Sequence, residues 1–430
     1  MHIFFSGIGG TAIGPLALIA KQAGYEVSGS DKQNSKYIEY LQKKGIKDIT
    51  IGQSYEDIAV AHNKQAIDWY VYSSAVAMEN PDADEFRFVR TMDIKSTKRD
   101  ELLNQIVKDK NLKMIAVAGT HGKTTTTAMI IWLFKSLDIP ISYSVGAKIN
   151  FGEMGQYIEG SEYFIYEADE FDRNFLAFEP HFSVITGVSW DHHEVFPTRD
   201  DYQDAFREFI DSSAHTIVWG EDFDYLSLLE RDTISIISTS DPKINNIKLK
   251  GLYNRLDGYL AVVCLNKISH KSSNELIGSI NSFPGSSRRM EEIASNLYSD
   301  YAHTPEKIKG AMSVAKEMAD EKGQKLVVVY EPLTNRRQHF MIDEYKDCFS
   351  QADKVYWVPS YLAREDPSQR ILSPDELIGH LDNPSIASAM EMNDDLKSVV
   401  KKHLSDNDLV VCLSGGGGKS LDEWVRDNFS

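Results

Sequence analysis

The chain is short of cysteine, of positive charge and of long apolar runs. It has three cysteines in 430 residues, Cys264, Cys348 and Cys412. They lie far apart, form no C-x-x-C pair, and sit in apolar or mixed stretches. They therefore read as reduced packing residues, not as a disulfide framework or a metal knuckle. Lysine and arginine number 46 against 64 aspartates and glutamates, giving a formal net charge of −18. That balance argues against nonspecific binding to nucleic acid or to an anionic membrane, while leaving room for a local basic pocket. No apolar run approaches the ~20 residues of a membrane helix. The opening HIFFSG goes straight into a strand pattern and lacks the basic-then-apolar layout of a signal, so a cytoplasmic protein without membrane insertion is expected. No short-period repeat or low-complexity tract appears.

What is present is enough to fold. Hydrophobic residues make up 42% of the chain, and its length predicts two or three domains. In the first segment, the strand HIFFSG leads into GIGGTAIGPLALIAKQAG, a glycine-rich turn followed by a helical pattern. The strand YEVSGSD follows, and later DWYVYSSAV. This alternation predicts a parallel, doubly wound sheet. The turn Gly7-Ile8-Gly9-Gly10-Thr11-Ala12 fits G-x-G-x-x-G/A, in which glycines let the backbone approach a diphosphate at a helix N-terminus. Asp31 closes the second strand, where an acid can bind a ribose hydroxyl. The pattern does not separate a dinucleotide from a UDP-linked ligand.

The second segment opens with the polar link STKRDELLNQIVKDKN, read as helical, and continues KMIAVAGTHGKTTTTAMIIWLFKSL. A strict Walker loop would need glycine where Val117 stands, so GTHGKTT is a variant. The chemistry survives: loop amides (Gly119, Thr120, Gly122, Thr125) and Lys123 hold phosphates, and Thr124 can reach Mg2+. Beyond it, EYFIYEADEFDRNFL places Glu167, Asp169, Glu170 and Asp172 at a strand end, where a P-loop domain needs a metal-binding acid. The strand of HFSVITGVSWDHHEVF ends in Asp191, His192, His193 and Glu194. These histidines lack a zinc spacing such as HExxH. In the third segment, polar residues again cluster after strands: Asp300, Tyr301 and His303, then Asn335, Arg336 and Arg337, then SGGGGKS, Ser414 to Ser420. That run also ends in Gly-Lys-Ser, but Leu413 stands where a Walker glycine belongs. It is read as a glycine turn at a strand end, near a ligand cleft, and not as the triphosphate loop.

The pieces GIGGTA, SSA, AGTHGKTTT, EADE, DHHEVF, GLYN, FPGSSRRME, DYAHTP and GGGGK follow one another as in the Mur ligase family, and the chain resembles that family over nearly its whole length. The resemblance implies an α/β protein of three domains. These are a Rossmann-like UDP-sugar-binding domain at 1–96, a central P-loop ATPase-like domain at 97–290, and a C-terminal Rossmann-like amino-acid-binding domain at 291–430. It implies ATP and Mg2+, with UDP-N-acetylmuramate and L-alanine as substrates, joined through an acyl phosphate, in a monomer or homodimer. Thr124 and Glu167 would bind one Mg2+ and His192 a second metal, while His121 would contact the transferring group. Asn254 would meet adenine, Arg289 a phosphate and Asp300 a ribose. Tyr301, His303 and Arg337 would lie near the amino acid. Gly7, Gly9, Gly10, Asp31, Ser73 and Ser74 would receive the UDP part.

The chain also departs from the family pattern. Tyr253 and Asp257 replace a histidine and an asparagine of the adenine motif, and Gly187 stands where asparagine is expected. DYAHTP looks more like members that add diaminopimelate or lysine, and EPLTN like a ligase that recycles a murein tripeptide. No lysine lies between Lys148 and Lys243, so the carbamylated lysine of several later-acting members is unavailable. That favours the alanine-adding or recycling branch. A noncatalytic UDP-sugar and ATP sensor is the alternative of another class. The intact set Lys123, Thr124, Glu167 and His192 argues against it.

Overall fold

A computed structural model describes residues 1–73, 76–77, 80, 82–192, 195–285, 288–363 and 365–429. Three sheets organise the chain. The first joins β1 (His2–Ser6), β2 (Glu26–Asp31), β3 (Ile49–Ile51), β4 (Trp69–Tyr72) and β5 (Lys95–Lys98) in the order β3-β2-β1-β4-β5, all parallel. The second joins β6 (Lys113–Ala118), β7 (Ile141–Ser144), β8 (Gly155–Gln156), β9 (Tyr163–Glu167), β10 (Phe182–Ile185), β11 (His215–Trp219) and β12 (Ile234–Ile237). Its order is β12-β11-β10-β6-β9-β7-β8, and only the edge strand β8 is antiparallel. The third joins β13 (Glu291–Ala294), β14 (Leu297–Asp300), β15 (Leu326–Glu331), β16 (Lys354–Trp357), β17 (Ala387–Ala389) and β18 (Leu409–Ser414). Its order is β13-β14-β18-β15-β16-β17, with β13 antiparallel.

Central strands read as unbroken apolar runs because helices cover both faces of a parallel sheet. LVVVYE and LVVCLS are buried at every position. The helix Lys123–Ser136 is apolar nearly all round and buries Ala128, Met129, Ile130, Ile131, Leu133 and Phe134, as a helix inside a core must.

The chain forms two compact units: Met1–Ile247 with Asp257–Pro284, and Lys248–Leu256 with Gly285–Ser430. In the first, one apolar core runs from Ile3 and Val71 through Leu102 and Ile106 to Phe164, Phe206 and Val218, so two sheets share it. In the second, two cores line the two faces of the third sheet. The three cysteines are buried and free. Among the described residues, no helix is long and apolar enough to cross a membrane.

Two elements differ from the sequence reading. The link from Ser96 is helical only from Arg99; Lys95–Lys98 is a strand that pairs with β4. Also, DWYVYSSAV supplies the fourth strand in chain order, because the three-residue β3 precedes it.

Candidate functional site

The glycine turn after β1 sits at the switch point of the first sheet, where β1 neighbours both β2 and β4; ligands of doubly wound sheets bind at such points. Gly7 has φ +73°, and the amides of Gly7 and Ile8 both donate to the Ser30 carbonyl at 2.9 Å. A Cβ on Gly9 would lie 2.9 Å from Asp31 Oδ2 and 3.0 Å from Ile38 Cγ1, so a larger residue there would have to displace the acid. Asp31 accepts the Gly9 amide at 2.8 Å and thereby braces the loop. Gly10 closes the turn by donating to the Gly7 carbonyl at 3.0 Å. Ser73 follows β4, and its hydroxyl accepts the Val76 amide at 3.4 Å. Ser74, His193 and Glu194 lie outside the described residues.

The loop between β6 and its buried helix depends on two glycines. At Gly119 (φ +147°) a Cβ would meet Thr186 Oγ1 at 2.3 Å; at Gly122 (φ +75°) it would meet Asp257 Oδ1 at 2.6 Å. Asp257, one of the departures from the adenine motif, thus lies against the phosphate loop. The loop is tied to the segment after β10. Thr120 donates its amide to the Gly187 carbonyl at 2.7 Å, its hydroxyl bonds the Ser189 carbonyl at 2.7 Å, and Tyr202 is 2.8 Å away. Gly187 has φ +146°, a conformation glycine takes without strain. His121 Nε2 is 3.0 Å from Ser189 Oγ. Thr125 is buried in the first turn of the helix.

Parallel pairing of β6 with β9, in register Val117 to Glu167, brings the acidic run to the loop. Thr124 donates to Glu167 Oε1 at 2.7 Å, and Gly146 donates its amide to Glu167 Oε2 at 2.6 Å. A hydroxyl and a carboxylate at a phosphate loop form a hard-oxygen donor set that fits Mg2+, which keeps several waters and bridges phosphates. His192 is placed differently. Its Nε2 is 3.5 Å from Glu170 Oε1, and the ring meets Phe171 edge-on at 5.2 Å. Among the described residues, no three His, Cys, Asp or Glu side chains converge as a ready metal cage.

Glu170, named in the sequence only as one of the acidic run, has a place of its own here. It is 1% exposed and pairs with Lys123 at 2.8 Å. Burial alone would push its pKa up. The charge of Lys123 and the bond from His192 overcome that and carry it down to about 2. For Lys123, burial opposes the charge and the Glu170 carboxylate outweighs it, so its pKa is raised and the ammonium stays protonated. Lys123 also donates to the Gly119 carbonyl at 2.5 Å.

A cavity of about 370 Å³ joins the two loops of this unit. Thr11 and Ala12 line it at the start of the helix Ile13–Gln22, and Lys123, Gly146 and Glu167 line it from the phosphate loop. A second cavity, of about 350 Å³ and lined by His2, Glu26 and Lys64, lies at the opposite, amino ends of β1 and β2 and touches none of the candidate residues.

In the second unit, Arg289, Asp300, Tyr301 and His303 gather. The guanidinium of Arg289 lies 5.3 Å from the Tyr301 ring centre, and that of Arg288 4.5 Å. Asp300 accepts the amides of Met290 and Ala302, both at 2.9 Å, and burial pushes its carboxyl pKa up. His303 is 4% exposed. Burial first, then the charges of Lys307, Arg337 and Arg289, hold its pKa well below the usual value, so the ring is neutral. Arg337 starts a helical turn by donating its amide to Thr334 Oγ1 at 3.4 Å. Asn254 is not drawn into this group: its amide donates to the Lys250 carbonyl at 2.7 Å.

SGGGGKS belongs to the same unit. A Cβ on Gly415 would lie 2.5 Å from His303 Cγ, and one on Gly416 would lie 2.8 Å from the Tyr361 ring. The glycines therefore make room for two aromatic rings. Lys419 caps the next helix by donating its amide to Glu423 at 2.7 Å.

Three family models cover the chain in order: Mur ligase family, catalytic domain (residues 2–111), Mur ligase middle domain (117–283) and Mur ligase, glutamate ligase domain (288–416). Relatives named UDP-N-acetylmuramate–L-alanine ligase are 29% identical in Clostridium botulinum and in Clostridium perfringens, each aligned over 96% of this chain and 95% of the relative. A solved UDP-N-acetylmuramate-alanine ligase from Thermotoga maritima superposes with a TM-score of 0.74 at 23% identity, over 97% of this chain and 96% of that one. A murein peptide ligase from Psychrobacter arcticus gives 0.63 at 24%, with the same coverage. These structures share the fold.

Proposed function

The chain belongs to the Mur ligase family, and from that premise we propose that it joins L-alanine to the lactyl carboxylate of UDP-N-acetylmuramate, converting ATP to ADP and phosphate. The observation that carries this reading is the shared cavity, with the start of the sugar-nucleotide helix at one wall and Lys123 and Glu167 at another. A sensor would need two binding loops. It would not need them to open into one space beside a metal-binding pair.

A carboxylate is a poor electrophile, so the first step makes it a better one. A carboxylate oxygen attacks the γ-phosphorus, an O–P bond forms, and the bond to the β–γ bridging oxygen breaks, releasing ADP. The amine of alanine then attacks the acyl carbon. A C–N bond forms, the acyl C–O bond breaks, phosphate leaves, and the amine proton passes to solvent. Charge neutralisation and alignment do most of this work. Lys123 stays protonated and holds the β- and γ-phosphates. The amides of Gly119, Thr120, Gly122 and Thr125 support them. Thr124 and Glu167 would hold Mg2+, which supplies Lewis-acid charge to the phosphates when bound. Glu170 keeps Lys123 oriented, and His192 braces Glu170. In the second unit we assign recognition of the amino acid to Tyr301, His303 and Arg337, where a neutral buried imidazole lies among cations.

The test is phosphate release from ATP with UDP-N-acetylmuramate and Mg2+, adding in turn L-alanine, glycine, L-serine and L-Ala-γ-D-Glu-meso-diaminopimelate. Release dependent on L-alanine supports the reading. Release with the tripeptide alone would make the enzyme a recycling ligase, and silence with all four would move the doubt to the sugar nucleotide.

A further inference from the structure

Arg99 opens the helix Arg99–Asp109 and lines the shared cavity together with Thr11, Lys123 and Glu167. Its surroundings are built. Nη2 donates to Asp169 Oδ2 at 3.1 Å, and Nε lies 3.5 Å from Asp100 Oδ1. Asp100 is 3% exposed and accepts the Tyr166 hydroxyl at 2.9 Å, so the guanidinium rests on a carboxylate that is itself fixed. Neither contact runs through Nη1.

A purely structural account of this arginine is weak on three grounds. A cation at the first position of a helix opposes the helix dipole, so the placement carries a cost. The Asp169 side chain it bonds is 40% exposed, and an ion pair of that kind adds little stability; the pair with buried Asp100 is, at 3.5 Å, looser than a close hydrogen bond. The arginine also stands in the cavity wall with Glu167, which together with Thr124 would hold the metal.

We propose that Arg99 binds the lactyl carboxylate of the sugar nucleotide and holds it for attack on the γ-phosphorus. The inference rests on the function proposed above. The planar fork of arginine matches a carboxylate through two parallel N–H···O bonds. Arg99 would keep the carboxylate in the cavity against the repulsion of Glu167 and Asp169, and Asp100 would position the fork.

The test is binding of UDP-N-acetylmuramate and of UDP-N-acetylglucosamine, which lacks the lactyl group, to the wild-type protein and to Arg99→Ala and Arg99→Lys, by titration calorimetry. Loss of a charged hydrogen-bonded contact predicts about 10- to 100-fold weaker UDP-N-acetylmuramate binding in Arg99→Ala, with UDP-N-acetylglucosamine binding unchanged within about 2-fold. Arg99→Lys keeps the charge without the fork and should fall between. Retained binding of UDP-N-acetylglucosamine also shows that the variants are folded. Equal losses for both ligands, or no loss, would overturn the role of Arg99 alone. Failure of the wild-type protein to bind UDP-N-acetylmuramate would remove the function and this inference together.

Discussion

Lys123 and Lys419 both follow a glycine and precede a hydroxyl residue, yet their surroundings differ. Lys123 is half-buried in the cavity wall and paired with the buried Glu170 carboxylate, whose pKa its charge lowers, whereas Lys419 serves the next helix through its backbone. Removing Lys123 deletes a contact to the charge that develops in phosphoryl transfer, and such losses cost about 10²-fold or more in turnover. Lys123→Ala should therefore lower kcat by at least ~10², and Lys419→Ala far less; steady-state phosphate release compares them. The reverse order would transfer the phosphate loop to SGGGGKS. The glycines of SGGGGKS can be tested separately. Gly415→Ala drives a methyl into the His303 ring, and overpacking of that kind costs about 1–3 kcal/mol. At Gly418 the nearest atom to a new Cβ is 3.9 Å away, so Gly418→Ala should be near neutral. Urea unfolding measures both. Sequence alone gave Lys123 and Thr124, because the phosphate loop is contiguous. It did not single out Glu170 or Arg99. Their partners lie 47 and 70 residues away along the chain. Pairing of β6 with β9 brings Glu170 to Lys123, and packing of the helix Arg99–Asp109 against the segment after β9 brings Arg99 to Asp169.

At the scale of elements, legibility followed burial. LVVVYE and LVVCLS stand out as strands because every residue is apolar or enclosed. KSTK is an equally real strand, but only Thr97 is buried, so no alternation marks it, and it was absorbed into the following helix. β8 is two residues long and leaves no pattern. The turn after β10 depends on a helix that the motifs did not touch. Asp222, in the helix Gly220–Tyr225, accepts the Val188 amide at 2.9 Å and supports the segment that holds Thr120. Burial raises its pKa from 3.8 to about 6. A carboxyl raised in the folded state binds its proton more tightly there than in the unfolded chain. Its contribution is full below pH 3.8 and is lost as pH rises to about 6. Asp222→Asn keeps an oxygen for the Val188 amide and removes the titration. The Tm of the variant minus that of the wild type should grow as pH rises from 4 to 6 and stay positive above pH 6. Parallel Tm–pH curves would show that the carboxyl does not titrate there.

At the scale of the molecule, the sequence divides into three strand–helix runs, and three sheets result. What composition could not foretell is that the first two sheets share one apolar core, because the helix Arg99–Asp109 supplies Leu102, Leu103, Ile106 and Val107 to both. The third sheet has its own cores. Cores that share no side chains can melt separately, whereas a shared core makes its parts unfold together. Calorimetry of the whole chain should therefore show two transitions, the larger belonging to residues 1–247 and 257–284. A ligand that binds one folded unit stabilises that unit alone, by about 2.7 kcal/mol at a hundred times its Kd. UDP-N-acetylmuramate should then raise the larger transition and leave the other in place. With Arg99→Ala the same concentration should move it less, while UDP-N-acetylglucosamine moves it equally in both proteins. A single transition that shifts as a whole would mean that the two units unfold cooperatively. Movement of the smaller transition alone would place the sugar nucleotide in the second unit and remove the glycine turn after β1 from its recognition.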